Sequence, residues 1–255
     1  MLRFLKWFGI IILSLVLLLL IAGFFISESR PEANATPEAD ELAQKMMTAV
    51  NTNAWDSTGV IQWTFAGMHD FLWDRKRHYV QVSWDNNKVL LDVDNFAGKV
   101  YVDEQEQTEE EAYKYLEKAR HFFYNDGFWL NPIAKAFDPG TERSIVEVKD
   151  GRKGLMVHYT SGGITPGDAY VWFLDENNRP TSWKMWVNII PIGGVEVSWE
   201  EWQSLETGAM VATLHKAVGV GLPVTNIKAA KNLEEFGFQE DPFDAIVQKL
   251  QTSLD

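Results

Sequence analysis

From Gly59 onward the chain carries a two-residue period: Ile61, Trp63 and Phe65 alternate with Val60, Gln62 and Thr64, the spacing of a strand. Residues 71–74, 78–84, 88–93 and 99–102 continue the pattern, and Asp85-Asn86-Asn87 turns the chain between two of them. Turns this short cannot make parallel crossovers, so the segments form an antiparallel meander. After an interruption, residues 144–148, 154–160, 169–175, 181–188 and 195–204 again read as extended, with 211–216 and 226–231 as weaker members. Asp150-Gly151 and Asn177-Asn178-Arg179-Pro180 mark turns between them.

Helical spacing appears in four places. Thr36-Pro37 starts a helix whose stripe is Ala39, Leu42, Ala43, Met46 and Val50. Residues 108–125 form the second, with a Thr108/Glu111 capping box, an acidic first turn, and an apolar stripe of Ala112, Tyr115, Leu116, Ala119, Phe122 and Phe123. Asp126-Gly127 is expected to stop it, and Asn131-Pro132 to start a short helix holding Ile133, Ala136 and Phe137. Asp241-Pro242 starts the last, with Phe243, Ile246, Val247 and Leu250 on one face. Helices segregated from so many hairpin-linked strands define an α+β fold: a large curved antiparallel sheet, an incomplete barrel, with inserted helices covering one face.

One stretch has no amphipathic period. Residues 7–26 are apolar except for Ser14 and carry no charge. As a helix, twenty such residues span about 30 Å, the thickness of a bilayer's hydrocarbon core. Arg3 and Lys6 precede it, which places the N-terminus in the cytoplasm and everything after Ile26 outside. Residues 1–30 thus read as a single-pass membrane anchor and 31–255 as an extracytoplasmic α+β domain, with 27–39 as a tether ordered only near its end. A cleaved secretory signal is the alternative, although its apolar core is usually shorter.

The chain has 23 basic and 36 acidic residues; without Arg3, Lys6, Glu28 and Arg30 the remainder carries a net charge of −15. Phosphate backbones and anionic lipid heads repel such a domain, which argues against nucleic-acid binding. There is no cysteine, so core burial alone must hold the fold. The histidines His69, His78, His121, His158 and His215 fall in no metal-binding spacing, and His69-Asp70 reads as a hairpin end before it reads as a ligand pair. No nucleophile elbow, Walker or dinucleotide fingerprint occurs. The acidic cluster at Asp103–Glu111 is explained by a solvated helix entry. No catalytic activity, metal or cofactor is expected.

The element order resembles the LolA/LolB-like (lipoprotein carrier-like) fold, an N-terminal helix followed by an incomplete antiparallel barrel with helices plugging its mouth. The resemblance covers roughly residues 37–250 and rests on element order, with no motif that transfers a functional residue. It implies a lipid-carrying or sensory role, while a retained spanning helix departs from the carriers, which are soluble or lipid-anchored.

Aromatics supply the last signal. Tyr170, Trp172 and Leu174 alternate with Val171 and Phe173, so that strand is apolar on both faces and needs two covers. A helix-plugged apolar cavity meets that need, and its candidate lining is Trp63, Phe65, Phe122, Phe123, Trp129, Trp172 and Trp183, binding a lipid or acyl chain. The other reading is a structural or sensory interaction domain whose aromatics are ordinary filled core.

Overall fold

The computed structural model describes residues 7–8, 27–161 and 165–247. The expected membrane anchor, apart from Trp7 and Phe8, and Leu250 of the last helix lie outside them. Among the described residues no helix is long and apolar enough to cross a membrane.

The order is helix α1 (Pro37–Ala49), a 3-10 turn (Thr52–Asp56), strands β1 (Val60–Phe65), β2 (His69–Asp74), β3 (Tyr79–Trp84), β4 (Asn87–Asp92), β5 (Ala97–Val102) and β6 (Gln105–Glu106), then helix α2 (Glu109–Leu130) and a 3-10 turn (Ile133–Lys135). Strands β7 (Thr141–Glu147), β8 (Lys153–Tyr159), β9 (Ala169–Leu174), β10 (Pro180–Trp186), β11 (Val195–Ser198), β12 (Glu200–Ser204), β13 (Met210–Ala217) and β14 (Val220–Ala230) follow, with a short helix α3 (Leu233–Phe236). All pairings are antiparallel: a nine-stranded sheet ordered β12-β13-β14-β1-β2-β3-β4-β5-β6 and a five-stranded sheet ordered β11-β10-β9-β8-β7. The two sheets meet where β11 runs into β12, with only Trp199 between. Its backbone N–H still donates to the Thr181 carbonyl of β10 (2.8 Å), while the next residue already pairs with β13. One strand thus hands the chain from one sheet to the other, and the whole curls as an incomplete barrel.

Alternation decides which residues enter it. Ile61, Trp63, Phe65, Phe71, Val89 and Leu91 point inward, where Leu116, Ala119 and Phe123 of α2 cover them. Leu155, Val157, Tyr170, Trp172 and Trp183 point inward in the smaller sheet, beneath Ala39, Ala43 and Met46 of α1. The outer faces are apolar too. Val60, Leu72 and Leu90 pack under Phe236, Phe243 and Ile246 of the C-terminal segment.

The outer face of the small sheet receives a different cover. Residues 27–30, expected to be a loose tether, form a strap along it. Glu28 donates its N–H to the Gly193 carbonyl (2.9 Å) and accepts at its own carbonyl from Trp186 Nε1 (2.8 Å). Its carboxylate takes Lys184 Nζ at 2.8 Å, and Lys184 also reaches Asp150 at 3.1 Å. Burial lowers the Lys184 pKa, but these two carboxylates outweigh it and the group ends above its usual value. Arg152 extends the network to Asp150 (2.8 Å) and Glu196 (2.6 Å). The strap docks because a buried lysine on β10 needs the Glu28 charge.

The second helix also departs from expectation, continuing through Asp126-Gly127 to Leu130. Asp126 is turned inward to His69 rather than capping, and a Cβ at Gly127 would lie 3.7 Å from Trp63, so packing overrides the local stop signal. At its start, Thr108 Oγ1 accepts from the Glu111 N–H (3.5 Å) while donating to the Glu111 carboxylate (2.8 Å).

Candidate functional site

The seven aromatics singled out from the sequence all line one interior. Trp63 on β1 stacks on Phe71 (4.5 Å between centroids) and meets Phe123 of α2 at 6.5 Å. Phe122, one residue earlier on the same helix, stacks on His69 at 3.7 Å and meets Trp84 edge-on at 5.3 Å. Trp129 joins the two halves of the barrel, 6.2 Å from Phe65 and 5.1 Å from Trp183. Trp183 lies 4.7 Å from Trp172 and 4.9 Å from Trp199. These rings fill the space between sheet and helix, with Phe122 and Trp129 only partly buried. Two clefts lie elsewhere among the described residues. One, of about 470 Å³, runs between α1 and the Asn177-Asn178 turn; the other, of about 180 Å³, lies between the strap and the Arg143 and His158 side chains.

Polar groups inside this interior were not legible as a group. Trp63, Trp73, Trp183 and Trp199 each bury an indole N–H with no hydrogen-bond partner among the described residues, as does His215 with its Nε2. Buried polar groups are nearly always paired, so a concentration of unpaired ones is unusual. His215 is 0% exposed, with Trp199 at 4.3 Å and Trp129 at 5.3 Å. Burial pushes its imidazole down to about 4, although the carbonyls of Ser198 and Trp129 favour the charged form. The ring is therefore neutral at pH 7. Its Nδ1 faces the Ser198 carbonyl (3.3 Å), and a proton placed there leaves Nε2 as a bare acceptor. Nε2 has no hydrogen-bond partner among the described residues, although the Trp129 carbonyl lies near enough to favour the charged ring. The available signal was parity: Val211 and His215 occupy alternate positions of one strand, which sets the histidine on a buried face.

A second polar contact ties α2 to the sheet. His69 Nδ1 lies 2.6 Å from Asp126 Oδ2, with Asn125 Nδ2 2.9 Å from the other oxygen. Burial raises the Asp126 pKa, and the hydrogen bonds from Asn125 and His69 only partly counter it. Asp70, paired with His69 in the sequence reading, instead accepts from Thr64 Oγ1 at 2.5 Å. Among the described residues no cluster of three or more His, Cys, Asp or Glu side chains could hold a metal ion.

No family model matches the chain, and no curated protein matches it. Among solved structures, a DUF1329 family protein from Desulfovibrio piger is similar over 84% of this chain and 99% of its own, with 11% identity and a TM-score of 0.44. At that distance the likeness carries no argument about activity.

Proposed function

We propose that this chain is a non-enzymatic, membrane-tethered extracytoplasmic domain that takes up an apolar ligand, a lipid or acyl chain, on the concave face of its sheet. Residues 7–26 hold it in the membrane, with the N-terminus in the cytoplasm. The observation that carries the reading is the buried group of unpaired nitrogens among the aromatic rings, above all His215 Nε2 with the Trp183 and Trp199 indoles. A filled core has no use for polar atoms without partners, whereas a hydroxyl or protonated carboxyl at a lipid's polar end can both donate and accept. Entry requires α2 to swing away, and α2 has features that suit this. It packs on the sheet through Leu116, Ala119 and Phe123, adds the His69–Asp126 hydrogen bond, and contains Gly127, which weakens a helix interior by about 1 kcal/mol relative to alanine.

A specific observation favours the second reading, a structural or sensory interaction domain: the seven aromatics already fill the interior. The two readings separate by titrating the detergent-extracted full chain with a fluorescent fatty-acid probe. Saturable binding that an unlabelled fatty acid displaces supports uptake. A linear, non-displaceable signal overturns it in favour of the filled-core domain.

A further inference from the structure

Four neighbouring connections of this fold differ from the rest. Pairing register places the β8–β9, β10–β11, β13–β14 and β1–β2 connections at the same end of adjoining strands: His158 and Trp186 both pair with Ala169, Ala217 pairs with Val220, and Phe65 pairs with Val224 near the start of β14. Lys216 N–H donating to Ser198 Oγ (3.1 Å) aligns the β13–β14 tip with β11. In a chain of net charge −13, residues 160–167, 187–194, 217–221 and 66–68 contain no Asp, Glu, Lys or Arg. Other turns do: Asp150 and Arg152, Asp175 and Arg179, and Arg75 to Arg77 at the far end, and Asp85 and Asp103-Glu104 further along the large sheet. In these uncharged connections Val218 is 95% exposed, Ile189 65%, Val220 62% and Met68 58%.

The apolar segment 7–26 ends at this same place. Ser27 Oγ accepts from the Gly193 N–H (3.1 Å), and Glu28 holds the Gly193 carbonyl. Resting on the reading of residues 7–26 as a membrane span, we propose that the β10–β11 loop and the β13–β14 tip dock into the outer surface of the bilayer that the anchor crosses. Only Ser27 separates the end of the apolar run from a backbone hydrogen-bonded to Gly193, in the loop that also carries Ile189, so the lipid surface is a near partner for these side chains. Their recognition is apolar insertion at the interface, which needs no anionic headgroup and suits an acidic domain. The docked strap then makes the attachment rigid, with the β10–β11 loop and the β13–β14 tip toward the membrane.

The absence of native cysteine allows a direct test in the full chain reconstituted into phosphatidylcholine vesicles. Single variants Ile189→Cys, Val218→Cys and, at the far end, Asn178→Cys would each carry an environment-sensitive fluorophore. Lipids bearing a shallow nitroxide should quench the first two labels by half or more and leave the third nearly unchanged. Equal, weak quenching at all three positions overturns the docking. Alkaline carbonate extraction of the same vesicles separates the two layers of the argument. Protein that stays with the membrane but shows no quenching keeps the span and loses the docking; protein stripped into the supernatant loses the span and the docking with it.

Discussion

Replacing His215 by phenylalanine tests whether the buried imidazole is kept for stability or for ligand. The ring is 0% exposed, so its titration needs no discount for solvent. Burial holds its pKa at about 4 in the fold, against an ordinary value of 6.5. A histidine whose folded pKa is depressed contributes stability that is complete above its unfolded pKa and is lost as pH falls through the folded one. Here the window runs from 6.5 down to about 4. At about 1.4 kcal/mol per unit, the loss reaches roughly 2.5 kcal/mol by about pH 4.5. Phenylalanine keeps the contacts with Trp129 and Trp199, cannot titrate, and removes the unpaired Nε2. Its cost is the long bond to the Ser198 carbonyl, worth about 1 kcal/mol or less. His215→Phe should therefore match the parent at pH 7 to within about 1 kcal/mol and exceed it by about 2–3 kcal/mol at about pH 4.5. Urea unfolding of fragment 27–255, followed by tryptophan emission at both pH values, reads this directly. The same variant should bind the fatty-acid probe about tenfold more weakly, the equivalent of one lost hydrogen bond. A variant several kcal/mol less stable at pH 7, or one with an unchanged pH profile, would refute the account of this residue.

Two further perturbations test the contacts that close the fold. Fragment 37–255, which lacks Glu28, should melt below fragment 27–255 by the equivalent of about 1–2 kcal/mol, because Lys184 retains only the partly exposed Asp150; equal melting temperatures would show that the strap adds nothing. At Asp126 the pKa is raised, so its contribution is fully present below the ordinary carboxylate value and is lost as pH rises through the folded one. Asp126→Asn should accordingly be as stable as the parent or more so at pH 7, whereas Asp126→Ala leaves His69 Nδ1 without its partner and should cost about 1–3 kcal/mol. Calorimetry on the pair checks the sign, and a strongly destabilised Asp126→Asn would contradict it.

Local periodicity was enough to place most of the strands, because Ile61, Trp63 and Phe65 or Val89 and Leu91 alternate regardless of what covers them. It also located the seven aromatics that the fold gathers. Non-local causes account for the rest. The strap was read as a tether because Glu28 is ordinary until Lys184, 156 residues later, is buried beside it. The helix stop at Asp126-Gly127 failed because His69 and Trp63 supply partners that only the folded sheet brings near. Residues 195–204 read as one strand, and do run on as one, but the change of sheet at Trp199 depends on β10 and β13 lying on either side. The second cover for the doubly apolar strands was assigned to a cavity; the outer faces are in fact closed by the strap and by Phe236, Phe243 and Ile246. His215 passed as an unremarkable strand residue because its unpaired nitrogen is a property of the packing around it.

The central claim, uptake of a lipid or acyl chain, is tested most directly by native mass spectrometry of the full chain released from mild detergent. The account predicts a mass adduct corresponding to one lipid, retained at collision energies that strip detergent and reduced in His215→Phe. A bare chain mass at every energy, in protein whose unfolding remains cooperative, would contradict it.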